Sequence, residues 1–325
     1  MTIAIVAAAV DYFVPTVTVI SLLSHADLLY ILLALGCVGA ATVVNALVYR
    51  SLAAGFGTTF GLRRLVATDL KAAFMVNTVP SLGLGGFAVY DRFFRSNGVE
   101  KQISRRVIVL KNIANAVSFL FLLLCGFVLY VAMNEVDLLG MAVQGILTLT
   151  VVVGISYTGY IALERRRLRQ LLDRLEAVVA RFTGPAHPHL RRAADAIAEQ
   201  VVYARRNKRK LVFPAAMNVV GYFFLSLAVY MVFIALGQAA ALGTVIVGFI
   251  SASWIGAASM LPGGVGAFET TMVASFRGVG IPIETAIAVA LIYRVFSFWL
   301  PTIVGGLLIR DELGAIRDHL KEVVR

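Results

Sequence analysis

Apolar residues run through this chain in long blocks, and the length of each block predicts what it forms. A helix rises about 1.5 Å per residue, so about 20 apolar residues cross the hydrocarbon core of a bilayer. Six blocks have that length, at about 2–23, 28–50, 107–133, 139–163, 211–236 and 284–309, and each predicts one membrane-spanning helix. Two further blocks, about 62–94 and 242–276, are interrupted, the first by NTVPSLGLGG and the second by MLPGGVG. Each reads as an apolar arm, a Pro/Gly break and a second arm of limited length. A lipid-exposed backbone cannot be irregular, because its N–H and C=O groups would have no partners. Each break is therefore expected to line a cavity protected by protein.

One long polar segment, residues 164–210, interrupts the apolar pattern. Its first part, ERRRLRQLLDRLEAVVARF, sets Leu168, Leu171, Leu172, Leu175 and Val179 at helical spacing on a basic background. TGPAHPH breaks that helix, and a second runs from Leu190 into YARRNKRK. The segment predicts a helical hairpin at the cytoplasmic lipid surface, where basic residues set topology and anionic lipids can bind. Three regions follow: a membrane half over 1–163, the insert over 164–210 and a second membrane half over 211–325.

The charges then fix an orientation. Arg50, Arg63, Arg64, Arg92, Arg95, Lys101, Arg105 and Arg106 must share a face with the insert and with the tail RDELGAIRDHLKEVVR, while the acidic MNEVDLLG falls outside. Basic loops stay on one face only if both interrupted blocks are re-entrant and return to the side they entered. Both termini are then cytoplasmic, and the expected location is a bacterial inner membrane.

The two breaks also resemble each other. With Pro80 placed on Pro262, Phe94 falls on Phe276, Arg95 on Arg277 and Gly98 on Gly280, without a gap. Three spans separate the two blocks, so the second enters from the opposite face. The expected architecture is an all-α polytopic membrane protein of about six spans plus two broken-helix hairpins in an inverted repeat, as in many secondary transporters.

Composition agrees with this reading. The 325 residues are 60% hydrophobic and 14% charged, against about 45–50% and about 25% in soluble domains. The net charge of +11 sits in loops and comes with no nucleic-acid-binding motif, so no nucleic-acid partner is expected. Cys37 and Cys125 lie in apolar blocks and read as small packing residues. His187 and His189 have no further ligands nearby, so no metal site is expected. The amino terminus has no basic leading segment and reads as a first span. There is no phosphate-binding G-x-x-x-x-G-K-[ST], no H-E-x-x-H and no Ser/His/Asp grouping, and no cofactor is expected.

The chemistry is expected at the breaks. Pro262 ends the first arm of the second block, and Gly263, Gly264 and Gly266 let the chain turn and be approached closely. A half-helix from about Ala267 would aim its N-terminal amides at mid-membrane, an end suited to an anion. Glu269 falls in its first turn, and Arg294 lies near the middle of the last span. A central charge costs about 2.5–3.5 kcal/mol to insert, so the two either pair to hold the fold or line a polar pathway. The first half offers Asn77, Pro80, Ser81, Gly85 and Gly86 at its break, and Asn112 at the position matching Arg294. Asp69, Lys71, Lys111 and Asn115 are further polar residues there, the lysines being weaker candidates than Arg294 because they can snorkel. Pro80 and Pro262 mark the tips, so Ser81 and Gly263 are expected to lie close together.

PGGVGAFE (262–269) followed by LIYRVFSFWLP (291–301) resembles the lysylphosphatidylglycerol synthase transmembrane-region family, and VNTVPSLGLGGFAVYDRFFRSNG (76–98) resembles its first signature. The resemblance covers about 28–309. It implies a relation to the flippase half of the multiple peptide resistance factor, which moves aminoacylated phosphatidylglycerol between leaflets, and to stand-alone members linked to hopanoids or glycolipids. Pro262, Gly263, Gly264, Gly266, Glu269 and Arg294 would then line the central cavity. No synthase-like domain is expected after Arg325, and the expectation is therefore transport rather than aminoacyl-lipid synthesis. The expected function is a flippase for a polar or phosphate-bearing headgroup on a phospholipid, an aminoacyl-lipid or a polyprenyl-linked lipid. Alternatives are an intramembrane lipid-modifying enzyme, an accessory subunit of one, or an anchoring partner. A homo-oligomer is compatible with all of them.

Overall fold

The computed structural model describes residues 26–79, 84–133, 138–163, 203, 209–259 and 261–310. The expected span at 2–23, the tip residues Pro80 and Ser81, nearly all of the basic insert and the carboxy-terminal tail lie outside the described residues. Among those described, every regular element is a helix. In chain order they are α1 (Leu28–Ala54), α2 (Leu62–Thr78), α3 (Leu84–Ser96), α4 (Lys101–Met133), α5 (Leu138–Leu163), α6 (Arg209–Ala235), α7 (Leu242–Ala258), α8 (Ala267–Arg277) and α9 (Ile283–Arg310). The first part of α9, Ile283–Arg294, passes into a π turn at Val295–Trp299 before the helix resumes.

Five of these, α1, α4, α5, α6 and α9, contain windows long and apolar enough to cross a membrane. They coincide with five of the six spans read from the sequence. Their outward faces are apolar, as lipid requires. On α4, Val117, Phe121, Leu124 and Val128 are exposed at helical spacing, and on α5 so are Ile146, Leu149 and Val153. The protein is an all-α polytopic membrane protein.

The other four helices form two hairpins. α3 has 13 residues and α8 has 11, so by rise alone they reach about 20 Å and about 17 Å, short of the hydrocarbon thickness. Each folds back along its partner. In the first hairpin, a Cβ on Gly85 would lie 3.1 Å from the Met75 carbonyl oxygen, and one on Gly86 3.1 Å from the Val76 side chain. In the second, Gly256 faces Phe268, and Gly248 faces Ser275 and Phe276. The pairing is antiparallel in both, and small residues let the backbones close up. α7 is buried at every residue from Gly243 to Ala252, shielded mainly by α4, α5, α6 and α8. Protein rather than lipid therefore surrounds it, which is where an interrupted helix is tolerated.

The halves repeat the same order of elements. α1 and α6 are both 27 residues long, each leads through a short connection to a 17-residue helix, a break, a short helix and a long one. α1 and α6 pack along each other in opposite directions. The Asp27 N–H at the start of α1 donates to the Ala235 carbonyl at the end of α6 at 2.8 Å, and Gly221 meets Val44 further along. Two further pairs are also antiparallel. α2 lies against α9 through Leu70 with Gly305 and Asn77 with Thr302, and α7 lies against α4 through Gly243 with Tyr130 and Ile246 with Gly126.

Candidate functional site

The second break is set by one proline and its glycines. α7 ends at Ala258, extended Leu261 follows, and Pro262–Gly264 make a single 3-10 turn whose first position suits a residue without an N–H. Gly263 and Gly264 have φ of 56° and 66°, in the left-handed region that side chains resist. A Cβ on Gly264 would sit 2.8 Å from the Gly256 Cα, inside backbone that cannot yield. α8 then starts at Ala267, the position read from the sequence. Its N-cap is Gly266, whose N–H donates to Glu269 Oε2 at 2.7 Å.

The other oxygen of that carboxylate reaches across to the last span. Arg294 Nε donates to Glu269 Oε1 at 2.6 Å. The arginine is 8% exposed, with its Cζ 4.3 Å from the Phe268 ring centroid and 5.1 Å from that of Phe298. Glu269 and two aromatic rings therefore fix the guanidinium, while its Nη2 has no hydrogen-bond partner among the described residues. The π turn begins one residue later, and such turns often mark functional sites because they re-aim the side chains that follow. Here the Phe298 carbonyl accepts from Thr302 Oγ1, and that hydroxyl accepts from Asn77 Nδ2 at 2.8 Å. The end of α2 is thereby tied to α9. A Cβ on Gly263 would lie 3.1 Å from Asn77 Oδ1, so the second break meets the last turn before the first.

A second polar cluster belongs to the first half. Asp69 Oδ1 accepts from Asn45 Nδ2 at 2.6 Å and from the Tyr90 hydroxyl at 2.9 Å, and Lys111 is the nearby cation acting on it. Tyr90 stacks on Tyr49 at 3.7 Å, and the Lys111 ammonium lies 5.5 Å from the Tyr49 ring centroid. One helical turn beyond Lys111, Asn115 Oδ1 accepts from the Tyr222 hydroxyl at 2.5 Å and links α4 to α6.

Both clusters open on one cavity of about 490 Å³, lined by residues from α1, α2, α4, α6, α7, α8, α9 and the second break. Its charged lining residues are Asp69, Lys111 and Arg294. Of the residues singled out from the sequence, Asn77, Gly263, Gly264 and Arg294 line it, and so do Asp69, Lys111 and Asn115. Glu269 stands behind Arg294 rather than in the lining. Gly85 and Gly86 serve the close approach of α3 to α2, and Asn112 Nδ2 turns back to the Ile108 carbonyl of its own helix. Pro262 and Gly266 shape the break without lining the cavity.

Sequence reasoning did not single out Asn45, Asn218, Tyr222 and Tyr293, which also line the cavity. Asn45 and Asn218 could have been found, because a lone amide in an apolar span needs an interior partner. Asn218 is 4% exposed, and its Nδ2 has no partner among the described residues. The tyrosines gave no signal, since aromatic residues are common in any span.

A family model described as the lysylphosphatidylglycerol synthase TM region matches residues 1–305. The chain belongs to this family. Among relatives, a UPF0104 membrane protein of Pyrococcus horikoshii is 24% identical over 307 residues, covering 89% of both chains. A UPF0104 membrane protein of Methanothermobacter thermautotrophicus is 35% identical over 98 residues, covering 30% of this chain and 29% of that protein. A phosphatidylglycerol lysyltransferase of Staphylococcus aureus is 35% identical over 66 residues, covering 20% of this chain and 8% of the transferase. The match to the lysyltransferase thus spans a small part of its length. Membership of the lysylphosphatidylglycerol synthase TM-region family gives this multi-pass protein a role connected with membrane lipid.

Proposed function

We propose that the protein is a lipid flippase, which carries a polar, phosphate-bearing headgroup across the membrane through the central cavity while the tails remain in lipid. The observation that carries this reading is the cavity itself, lined from both halves and mostly apolar but carrying Asp69, Lys111 and Arg294, the last fixed by its neighbours and partly unpartnered. A headgroup anion there would meet the Arg294 guanidinium, and the amide end of α8 lies close by. The antiparallel packing of α1 on α6 supports an inverted repeat, because matching helices of the two halves run in opposite directions. Two re-entrant hairpins entering from opposite faces would then serve as gates, with alternating access by movement of one against the other.

The tie between Asn77 and Thr302 joins α2 of the first hairpin to α9. The test is an Asn77→Cys/Thr302→Cys protein with Cys37 and Cys125 replaced by serine, reconstituted with fluorescent lipids of several headgroup classes. The reduced protein is expected to move at least one class between leaflets, and the oxidised protein none. Movement by a fully cross-linked protein would remove the gating role, and movement of no class in any state would remove the flippase reading.

The orientation has its own check. With the insert and both termini proposed as cytoplasmic, a cysteine replacing Arg181 is expected to resist a membrane-impermeant thiol reagent on intact cells, and one replacing Asp137 to react. Labelling at position 181 from outside would invert or dismantle the two-hairpin topology.

A further inference from the structure

We infer that Asp69 is the proton-binding site of the cavity, and that through it a pH gradient drives headgroup movement. The inference rests on the flippase reading and names what powers it. Two carboxylates stand at the cavity, and their settings differ. Glu269 is committed at both oxygens, Oε1 to Arg294 and Oε2 to the Gly266 N–H, and it stands behind the lining. Asp69 is in the lining, and both of its hydrogen bonds fall on Oδ1, from Asn45 Nδ2 and from the Tyr90 hydroxyl. Oδ2 accepts from no described residue, and unlike Arg294 Nη2 it is not sealed off by protein. Lys111 is the neighbouring cation but makes no direct ion pair with Asp69 among the described residues. A proton can therefore settle on Oδ2 without displacing any bond.

The groups around Asp69 favour a proton over a metal cation. They present an amide N–H, a phenol O–H and an ammonium, whereas a metal cation would need several oxygen ligands and would be repelled by Lys111. Of the titratable groups on neighbouring elements, Tyr49 on α1, Tyr90 on α3 and Lys111 on α4 face Asp69. Tyr222 on α6 and Tyr293 and Arg294 on α9 share the cavity, and Pro262–Gly264, which also pack on α2, bring no titratable group. Protonation has two consequences. The two cations of the lining, Lys111 and Arg294, are offset by one carboxylate, and the proton removes the offset. Proton and anionic headgroup therefore strengthen each other's binding, and the coupling is reciprocal. A proton and a monoanionic headgroup then cross together with no net charge. The bonds from Asn45 and Tyr90 also lose their charge assistance, about half their strength, so α2 is held less firmly to α1 and α3 while the proton is on.

Two measurements on the full-length protein test this. Infrared difference spectroscopy of the purified protein, titrated from about pH 8 to about pH 5, is expected to show a carboxyl C=O band that grows on acidification and is lost in Asp69→Asn. That variant is nearly isosteric, and its amide oxygen can still accept from Asn45 and Tyr90. Lys111→Met gives a second reading should Asp69→Asn fail to accumulate. Without the cation the carboxylate takes a proton more readily, so the midpoint of the band is expected to rise by about one pH unit or more. The second measurement follows acyl-labelled phosphatidylglycerol, phosphatidylserine and phosphatidylcholine in proteoliposomes. At least one of the two anionic lipids is expected to accumulate in the leaflet facing the alkaline side, by up to about tenfold per unit of pH difference, the limit for one proton per headgroup. A sodium gradient or a potassium diffusion potential alone is expected to leave the distribution unchanged.

A band unchanged in whichever variant accumulates overturns the inference. So does lipid that equilibrates between leaflets without regard to the pH gradient, or that follows sodium or the potential instead, and in those cases transport stands. A gradient response kept by Asp69→Asn moves the proton to another group and also overturns it. A band assigned to Asp69 with no lipid movement under any condition supports the proton site and removes the flippase reading.

Discussion

Arg294→Met is expected to abolish headgroup movement in proteoliposomes and to lower the stability of the protein as well. The guanidinium is almost fully buried, bonded through Nε to Glu269 and placed against Phe268 and Phe298. Removing one partner of a buried ion pair typically costs about 3–5 kcal/mol, because the remaining charge is left uncompensated. Two features reduce that cost here. The Glu269 side chain keeps 23% exposure, and its second oxygen retains the Gly266 N–H. The loss of stability is therefore expected at or below the lower end of that range, small enough for the protein to reach the membrane.

The double variant Glu269→Gln/Arg294→Met separates the two roles of the pair. The carbonyl oxygen of the new glutamine can still accept from the Gly266 N–H at the α8 cap, and no charge is left buried, so accumulation and thermal stability are expected to recover. Headgroup movement is not, because the cavity has lost its fixed cation. Fluorescence-detected size-exclusion after a temperature ramp measures the first, and the liposome assay the second. Recovery of both by the double variant would make the pair a structural strut only, and the site would lose its arginine.

Gly264→Ala is expected to be strongly destabilising, because two separate effects of the added methyl fall on one residue. The residue holds φ at 66°, where a side chain costs about 1–2 kcal/mol. The new Cβ would also fall 2.8 Å from the Gly256 Cα and 2.9 Å from its carbonyl carbon and oxygen. Overpacking typically costs about 1–3 kcal/mol, and here the obstacle is backbone, which cannot rotate away. The two terms together take up much of the stability of an ordinary domain, so the variant should fail to accumulate or melt far below the parent. Gly36→Ala is the control: its Cβ would meet nothing within 4 Å, and alanine favours the helix. Equal thermal stability of the Gly264→Ala and Gly36→Ala proteins would mean that the break is not built as described.

The sequence by itself determined the class of the protein and the places where its helices stop. Five of the predicted spans are helices because an apolar block of membrane length has one low-energy solution in lipid, with every backbone group bonded inside the segment. The breaks were legible because proline and glycine act locally, through a missing N–H and a missing Cβ, and the start of α8 at Ala267 follows from that chemistry. The matching order of elements was legible in part, through Phe94 with Phe276 and Gly98 with Gly280.

Tertiary structure decided which polar residues share the cavity. Asn112 and Lys111 are neighbours on one helix, and a pattern of polarity alone cannot rank them. Packing against Tyr49 and Asp69 turns Lys111 to the cavity, while Asn112 satisfies itself on Ile108. Glu269 and Arg294 were visible as charges in an apolar setting, but their division of labour was not. The carboxylate caps its own helix and holds the arginine, and only the crossing of α8 and α9 makes that possible. Asn218 acquires meaning only in the assembled bundle, since an unpartnered amide is a property of everything around it rather than of its own span. Local chemistry writes helix ends into the chain one residue at a time. A cavity is made by eight segments that meet only after folding, and so it is written in none of them alone.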